Sequence, residues 1–155
     1  MAIDVGDTAP AIELDGSGGT SISLSDMNGP TVVFFYPKDD TPGCTTEAKD
    51  FTALRSDFDA IGVNLIGISP DTVAKHDKFV AKHDLNVMLG SDEEQKVLNA
   101  YGVWVEKSMY GKTYMGVERS TFLIGADGVV KNVWRKVKVK GHAEAVLEAA
   151  KELVG

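Results

Sequence analysis

The sequence predicts an α/β fold in which helices flank a central mixed β-sheet. Short apolar runs rich in β-branched and aromatic residues alternate with longer segments whose apolar residues lie three and four apart. The length of 155 residues and the ordinary composition suit one domain, 1–155, with a sizeable core. Since the chain contains no repeat, low-complexity tract or obvious linker, this alternation favours a single layered domain.

The first elements are predicted from apolar runs and turn residues. Two short strands, 12–14 and 22–24, lie on either side of a glycine-rich turn and form an N-terminal β extension. Residues 31–36 are typical of a buried strand, and the helix after them begins at Thr41. One buried stripe of that helix is marked by residues three and four apart, namely Phe51, Leu54, Phe58 and Ile61.

The middle of the chain continues the same alternation. A second buried strand is predicted at 63–69, an amphipathic helix at 72–83, a short strand at 87–89 and a helix at 94–101. For residues 104–114, which include Met109, Tyr110 and Tyr114, two interpretations stay open. The segment either covers the mouth of the active site or is an ordinary crossover loop with partly packed aromatic residues.

The C-terminal part predicts a β-hairpin and a closing helix. Strands at 121–124 and 129–137 are joined by Gly-Ala-Asp-Gly at 125–128, which is a hairpin turn signal. The helix 142–153 is predicted to turn one apolar stripe inward, formed by Ala145, Val146, Ala149, Ala150 and Leu153. Trp104 and Trp134 are interpreted as packing residues.

The only cysteine, Cys44, follows directly after a strand and falls in the first turn of a helix. Thr41 suits the N-cap and Pro42 the first helical position, where its missing N–H costs nothing. Free backbone N–H groups and the positive end of the helix dipole stabilise a thiolate, the reactive form of cysteine. The helix end alone is too weak, so a second cation is expected. A buried, inert thiol is the alternative.

The motif PKDDTPGC at 37–44 resembles the Pro-x-x-x-Thr-x-x-Cys signature of peroxiredoxins. Its wider context, TPGCTTEAKDF with GVWVEKSMYGKTYMGVERSTFLI downstream, is similar to the peroxiredoxin Q group, also called bacterioferritin comigratory proteins. The likeness covers essentially the whole chain. It implies a thioredoxin-like fold and reduction of hydrogen peroxide and organic hydroperoxides by Cys44, with Pro37, Thr41 and Arg119 completing the site.

The residue types suit the roles that this resemblance implies. Arg119 would hold the thiolate and the peroxide oxygens in its fork of donors, while Pro37 would shield the sulfur from water. The Thr41 hydroxyl would accept from a helix N–H and donate to the peroxide, and Gly43 would offer its backbone N–H. Glu47 either orients Arg119 or is simply a favourable acid in the first helical turn.

One departure from the family concerns the resolving cysteine. Many relatives carry it five residues after the reactive one, where this chain has Lys49, and others carry it on the next helix, which has none here. The chain therefore resembles a one-cysteine variant that depends on an external thiol such as thioredoxin or glutaredoxin with glutathione. A monomer is expected, without cofactor or metal.

Charge and composition exclude several classes of protein. A net charge of −7 disfavours nucleic acid and anionic membranes as partners, and no run reaches the roughly 18 apolar residues of a membrane-spanning helix. The sequence MAIDVGDTAP lacks signal-peptide features, and a reactive thiol suits a reducing compartment, so the cytoplasm is expected. His76 and His83 lie seven apart without a third ligand, which favours a solvated helix surface over a metal site.

Three classes of function remain open at this point. The first is a thiol-dependent peroxidase that an external thiol returns to the reduced state. The second is a redox sensor or relay that forms mixed disulfides with a protein partner, and the third is a binding module with an inert cysteine. A Cys–His hydrolase is disfavoured because none of the three histidines lies in a segment expected to reach Cys44.

Overall fold

The computed structural model describes residues 3–155, which contain four α-helices and nine β-strands. The helices are α1 (Pro42–Ala60), α2 (Val73–His83), α3 (Lys96–Ala100) and α4 (His142–Val154). The strands are β1 (Glu13–Gly16), β2 (Ser21–Ser23), β3 (Thr31–Phe35), β4 (Asn64–Ser69), β5 (Met88–Ser91), β6 (Trp104–Met109), β7 (Lys112–Val117), β8 (Ser120–Ile124) and β9 (Val130–Trp134). None of the four helices is long and apolar enough to cross a bilayer.

Seven of the strands form one mixed sheet in the order β2-β1-β5-β4-β3-β8-β9. Strands β3, β4 and β5 run parallel, while β8 pairs antiparallel with β3 and β9 pairs antiparallel with β8. The antiparallel pair β1–β2 adds the predicted N-terminal extension at the β5 edge. The predicted α/β class with a central mixed sheet is therefore confirmed.

The hydrophobic core has two layers, because successive side chains of a strand point to opposite faces of the sheet. Val32, Phe34 and Tyr36 face the layer under α1, α2 and α4, whereas Val33 and Phe35 face the layer under α3 and the N-terminal extension. All five of these side chains are buried, as expected for a central strand covered on both sides.

Residues 104–114, for which an ordinary crossover loop was one of two interpretations, belong to a β-hairpin. Strands β6 and β7 form a separate two-stranded hairpin, paired from Trp104–Val117 to Met109–Lys112. Tyr110 and Gly111 make its turn, both with positive φ, as a two-residue hairpin turn requires. Trp104 packs on the core and the tip is exposed, so only the base of the hairpin shows the apolar pattern of a buried strand.

Two C-terminal predictions are corrected. Strand β9 ends at Trp134 instead of 137, because Lys136 adopts a left-handed conformation (φ 49°) that interrupts the strand. In α4 the exposed residues include Ala145 and Leu153, so their predicted inward orientation is wrong. The buried stripe instead comprises His142, Ala143, Val146, Leu147 and Ala150.

The prediction that His76 and His83 lie on a solvated helix surface is wrong for His76. Its side chain is completely buried, and both ring nitrogens lie within hydrogen-bond distance of buried acceptors. His83 is partly exposed and contacts Asp40 at 2.8 Å. The spacing of the two histidines did not reveal this burial, because the residues that contact His76, Asp39 and Gly90, lie outside α2.

Candidate active site

The junction between β3 and α1 positions the Cys44 sulfur. The backbone N–H of Tyr36 still donates to the Ile68 carbonyl, and the chain then leaves the sheet at the half-buried Pro37. Helix α1 begins at Pro42 with Thr41 as its N-cap, as predicted. Cys44 therefore lies in the first turn, where backbone N–H groups have no helical acceptor, and it is only 2% exposed.

Arg119 reaches the same end of the sheet through the antiparallel pairing of β8 with β3. Ser120 pairs with Phe35, so the residue just before β8 lies beside the end of β3. The Arg119 carbonyl accepts a hydrogen bond from the Val137 N–H at 3.0 Å, which holds this backbone in place. The guanidinium is thereby directed over the first turn of α1.

The guanidinium joins the sulfur to a buried carboxylate. Arg119 donates from Nη2 to the Cys44 Sγ at 3.2 Å and from Nη1 to the Glu47 Oε1 at 2.7 Å. Gly43 leaves room for this approach, since a Cβ there would lie 3.2 Å from Nη2. Arg119 is therefore the second cation that we expected beside the sulfur. Hydrogen bonds from a charged donor are among the stronger ones in proteins.

Thr41 differs in one respect from its predicted geometry. It occupies the N-cap position, but its hydroxyl donates to the Lys38 carbonyl at 2.8 Å, and its side chain accepts no hydrogen bond from a helix N–H. The predicted capping bond is therefore wrong. Because the hydroxyl proton is engaged with Lys38, the oxygen lone pairs are what Thr41 offers to a bound molecule.

Glu47 is the buried acid beneath Arg119. Burial raises the pKa of Glu47 from 4.5 to about 7, although the neighbouring Arg119 charge acts in the opposite direction. Oε1 accepts from Arg119, whereas Oε2 has no hydrogen-bond partner among the described residues. This half-satisfied carboxylate resists ionisation, because desolvation penalises the charged form.

The raised pKa of Glu47 makes the stability of the protein depend on pH. Between pH 4.5 and about 7 the folded protein keeps the Glu47 proton that the unfolded chain has lost, so stability falls as pH rises through this window. The shift corresponds to a loss on the order of 3 kcal/mol. Glu47→Gln imitates the protonated acid, and we expect its stability relative to wild type to increase by this amount from pH 4 to pH 8, measured by denaturant unfolding.

A matched control for this measurement is Asp57→Asn, which removes an exposed carboxylate from the same helix. Its stability relative to wild type should stay nearly constant over the same pH range, because an exposed side chain contacts water in the folded protein and in the unfolded chain alike. A constant difference between Glu47→Gln and wild type would mean that Glu47 ionises as easily in the folded protein as in the unfolded chain.

Sequence reasoning missed two further basic residues near Arg119. Burial and the Arg119 charge lower the pKa of His142 to about 4, so this ring is neutral, and its Nε2 lies 2.7 Å from the Thr121 hydroxyl. Burial and Arg119 also lower the pKa of Lys107, on the exposed hairpin, while the nearby Cys44 and Glu118 charges raise it. No sequence signal could have located them, because only the tertiary packing brings α4 and β6 close to Arg119.

A thiol at a helix start, held by an arginine and set beside the end of a central strand, defines a thioredoxin-fold thiol enzyme. Residues 5–133 match the AhpC/TSA family, and the chain belongs to this family. Peroxiredoxin Bcp of Bacillus subtilis is 47% identical over 154 residues, which cover 99% of this chain and 98% of that protein. Peroxiredoxin Bcp of Xanthomonas campestris is 51% identical over 136 residues, covering 87% and 85%.

Solved structures agree with this assignment. The bacterioferritin comigratory protein of Xanthomonas campestris, studied for its alkyl peroxide reduction activity, superposes with a TM-score of 0.90 at 45% identity, covering 99% of this chain and 98% of that one. Peroxidoxin BcpB of Mycobacterium tuberculosis superposes with a TM-score of 0.86 at 35% identity, covering 97% and 98%. The predicted thioredoxin-like fold, the resemblance to the peroxiredoxin Q group and the class of thiol-dependent peroxidase are confirmed.

Proposed function

We propose that Cys44 is the nucleophile that reduces hydrogen peroxide and organic hydroperoxides in this protein. The observation that carries the proposal is the 3.2 Å contact between Arg119 Nη2 and the Cys44 Sγ at the start of α1. Attack by the thiolate on the nearer peroxide oxygen forms an S–O bond and breaks the O–O bond. Cys44 becomes a sulfenic acid, and the departing oxyanion takes up a proton to leave as water or an alcohol.

The neighbouring residues have distinct parts in this step. Arg119 holds the thiolate and stabilises the negative charge that develops on the departing oxygen. The backbone N–H groups of Gly43 and Cys44 donate toward the same space at the helix start, while Thr41 accepts the hydrogen bond of the peroxide O–H. Pro37, half-buried at the end of β3, shields the sulfur from bulk water. Glu47 orients Arg119 by accepting a 2.7 Å hydrogen bond from its Nη1.

We also propose that an external thiol completes the cycle. Cys44 is the only cysteine of the chain, and Lys49 cannot attack a sulfenic acid as a thiol does. A thiol from another molecule forms a mixed disulfide with Cys44 and releases water. A second thiol then restores the Cys44 thiol and carries away the disulfide. Thioredoxin, glutaredoxin with glutathione, or a similar thiol in the cytoplasm fits this chemistry.

The one-cysteine scheme predicts the product of a single turnover. Without reductant, an equimolar pulse of peroxide should give a monomer heavier by one oxygen, which mass spectrometry detects and a sulfenate reagent traps. Excess peroxide should convert it to the sulfinic acid and inactivate the protein, because no internal thiol intercepts the intermediate. A rapid, nearly quantitative disulfide-linked dimer on a non-reducing gel would instead make a second chain the resolving partner.

Turnover assays test the proposed function as a whole. Peroxide consumption is compared with thioredoxin, with glutathione plus glutaredoxin, and with dithiothreitol as reductant. We expect turnover with dithiothreitol and faster turnover with one of the two protein systems. Absence of turnover with all three reductants would contradict a peroxidase, whereas a trapped mixed disulfide with one protein and negligible turnover would indicate a redox relay.

We also propose that the protein is a monomer with a single domain. Its mass in solution should then stay the same across protein concentrations.

A further inference from the structure

The reduced site encloses the sulfur that an external thiol has to reach. Cys44 is 2% exposed and lies beneath the Arg119 guanidinium. A peroxide is small enough to enter such a site, but a thiol on a larger molecule attacks the sulfur directly and needs more room. If the proposed function holds, residues 37–43 have to move away from the rest of the fold during each cycle.

A buried histidine holds the loop before Cys44 to helix α2. His76 is fully buried, and its Nε2 lies 2.9 Å from the Gly90 carbonyl, which only accepts hydrogen bonds, so Nε2 carries a proton. Its Nδ1 lies 2.6 Å from the Asp39 Oδ2. One side chain of α2 is therefore fixed to β5 on one side and to the active-site loop on the other.

Asp39 is held by two further residues, Tyr36 and Asp71, and Ser69 in turn holds Asp71. The Tyr36 hydroxyl donates to its Oδ1 at 2.6 Å, and its own backbone N–H donates to the Asp71 Oδ2 at 2.8 Å. The Ser69 hydroxyl donates to the same Asp71 oxygen at 2.8 Å. Asp39 is only 8% exposed, and it lies five residues before Cys44. Displacing the loop would break these buried hydrogen bonds, which are costly to leave unmade.

We propose that His76 and Asp39 are positioning residues that keep the Cys44 loop closed and thereby set how soon an external thiol reaches the sulfenic acid. While the loop is closed, a second peroxide can still enter, transfer one oxygen to give the sulfinic acid and leave as water or an alcohol. Once the loop opens, a thiol displaces water and forms the mixed disulfide. The strength of the His76–Asp39 contact therefore controls the partition between inactivation and recovery.

A second, outer contact joins the same loop to α2. Asp40 accepts from Lys82 at 2.7 Å and contacts His83 at 2.8 Å, but its side chain is 44% exposed. Exposed ion pairs of this kind contribute little, because water and salt screen them. The buried His76–Asp39 contact is therefore the one that dominates loop closure.

Two substitutions of His76 separate its two contacts. In His76→Gln the amide nitrogen takes the place of Nε2, so the Gly90 contact is kept and the Asp39 contact is lost. In His76→Asn the amide nitrogen takes the place of Nδ1, so the Asp39 contact is kept. The measured quantity is the rate at which a polyethylene glycol maleimide modifies Cys44 in the reduced protein, a reaction that requires an open loop and no peroxidase activity.

We expect His76→Gln to raise this rate about tenfold and His76→Asn to stay within about twofold of wild type, as the loss or retention of one buried hydrogen bond predicts. His76→Gln should also form less sulfinic acid at a fixed ratio of peroxide to dithiothreitol, and its backbone N–H groups at 38–46 should exchange faster. Lys78→Gln, an exposed change on the same helix, is the control and should match wild type.

Equal rates for His76→Gln and His76→Asn would overturn the proposal, because His76 would then act only by filling the core. If His76→Gln does not fold, Tyr36→Phe provides the test, since it removes one hydrogen bond to Asp39 and adds no buried polar group. A severalfold faster modification supports the proposal, and an unchanged rate overturns it. Failure of the proposed peroxidase would appear separately, as normal maleimide kinetics without peroxide turnover.

Discussion

Replacing Cys44 by serine should reduce peroxide consumption to the level of buffer alone. Serine is nearly isosteric with cysteine, but its hydroxyl does not ionise near neutral pH, so it cannot attack the O–O bond. The sulfur lies in a nearly closed space beside Arg119, and an oxygen there fills almost the same volume. We expect the far-ultraviolet circular dichroism of Cys44→Ser to match wild type.

A control from the same helical turn isolates the effect of the sulfur. Thr46 is exposed, and its hydroxyl donates to the Pro42 carbonyl at 3.0 Å, a contact that Thr46→Ser retains. This variant should keep wild-type turnover with dithiothreitol. Peroxide turnover by folded Cys44→Ser would exclude Cys44 as the nucleophile, and since the chain has no second cysteine it would exclude thiol chemistry altogether.

The elements that the sequence predicted well are those in which the local residue pattern matches the burial seen in the structure. Strand β3 is apolar from Val32 onward because it is covered on both faces. Thr41-Pro42 marks the start of α1 by local chemistry alone. The hairpin β6–β7 was missed because its exposed tip carries no apolar alternation and its turn is Tyr-Gly instead of the more usual Asn-Gly.

The candidate site was predictable only in part, because its contacts join distant segments. Thr41 and Pro42 identify Cys44 as a thiol at a helix start, but only the peroxiredoxin resemblance pointed to Arg119, 75 residues away. For Glu47 two interpretations were open, and the 2.7 Å contact with Arg119 supports the orienting role. His76 was misjudged because a histidine flanked by lysines and an aspartate indicates a solvated surface until its buried partners are known.

Replacing Arg119 by methionine should slow the reaction of Cys44 with peroxide by on the order of 3 kcal/mol, or more than about a hundredfold. Methionine keeps much of the side-chain stem but removes the cation, so the thiolate loses the 3.2 Å hydrogen bond to Nη2. Arg119→Lys should also react slowly, since a point charge cannot contact Glu47 and the sulfur in the same fixed geometry. Single-turnover peroxide kinetics measure both losses.

Removing Arg119 also leaves Glu47 buried without its cation, so a structural effect has to be separated from a catalytic one. The double variant Arg119→Met/Glu47→Gln replaces the acid by a neutral amide, which avoids the cost of either burying a lone carboxylate or protonating it. Arg55→Met, which breaks the surface pair with Asp59, serves as the control for loss of a cation from the same domain. We expect the control to react like wild type.

The double variant decides between the two explanations of a slow Arg119→Met. If the arginine acts on the reacting atoms, Arg119→Met/Glu47→Gln regains stability while its reaction with peroxide stays more than about a hundredfold slow. Recovery of the wild-type rate in the double variant would mean that the unpaired Glu47 had distorted the site. Arg119 would then be a structural residue, and stabilisation of the thiolate and of the departing oxygen would rest on the helix start alone.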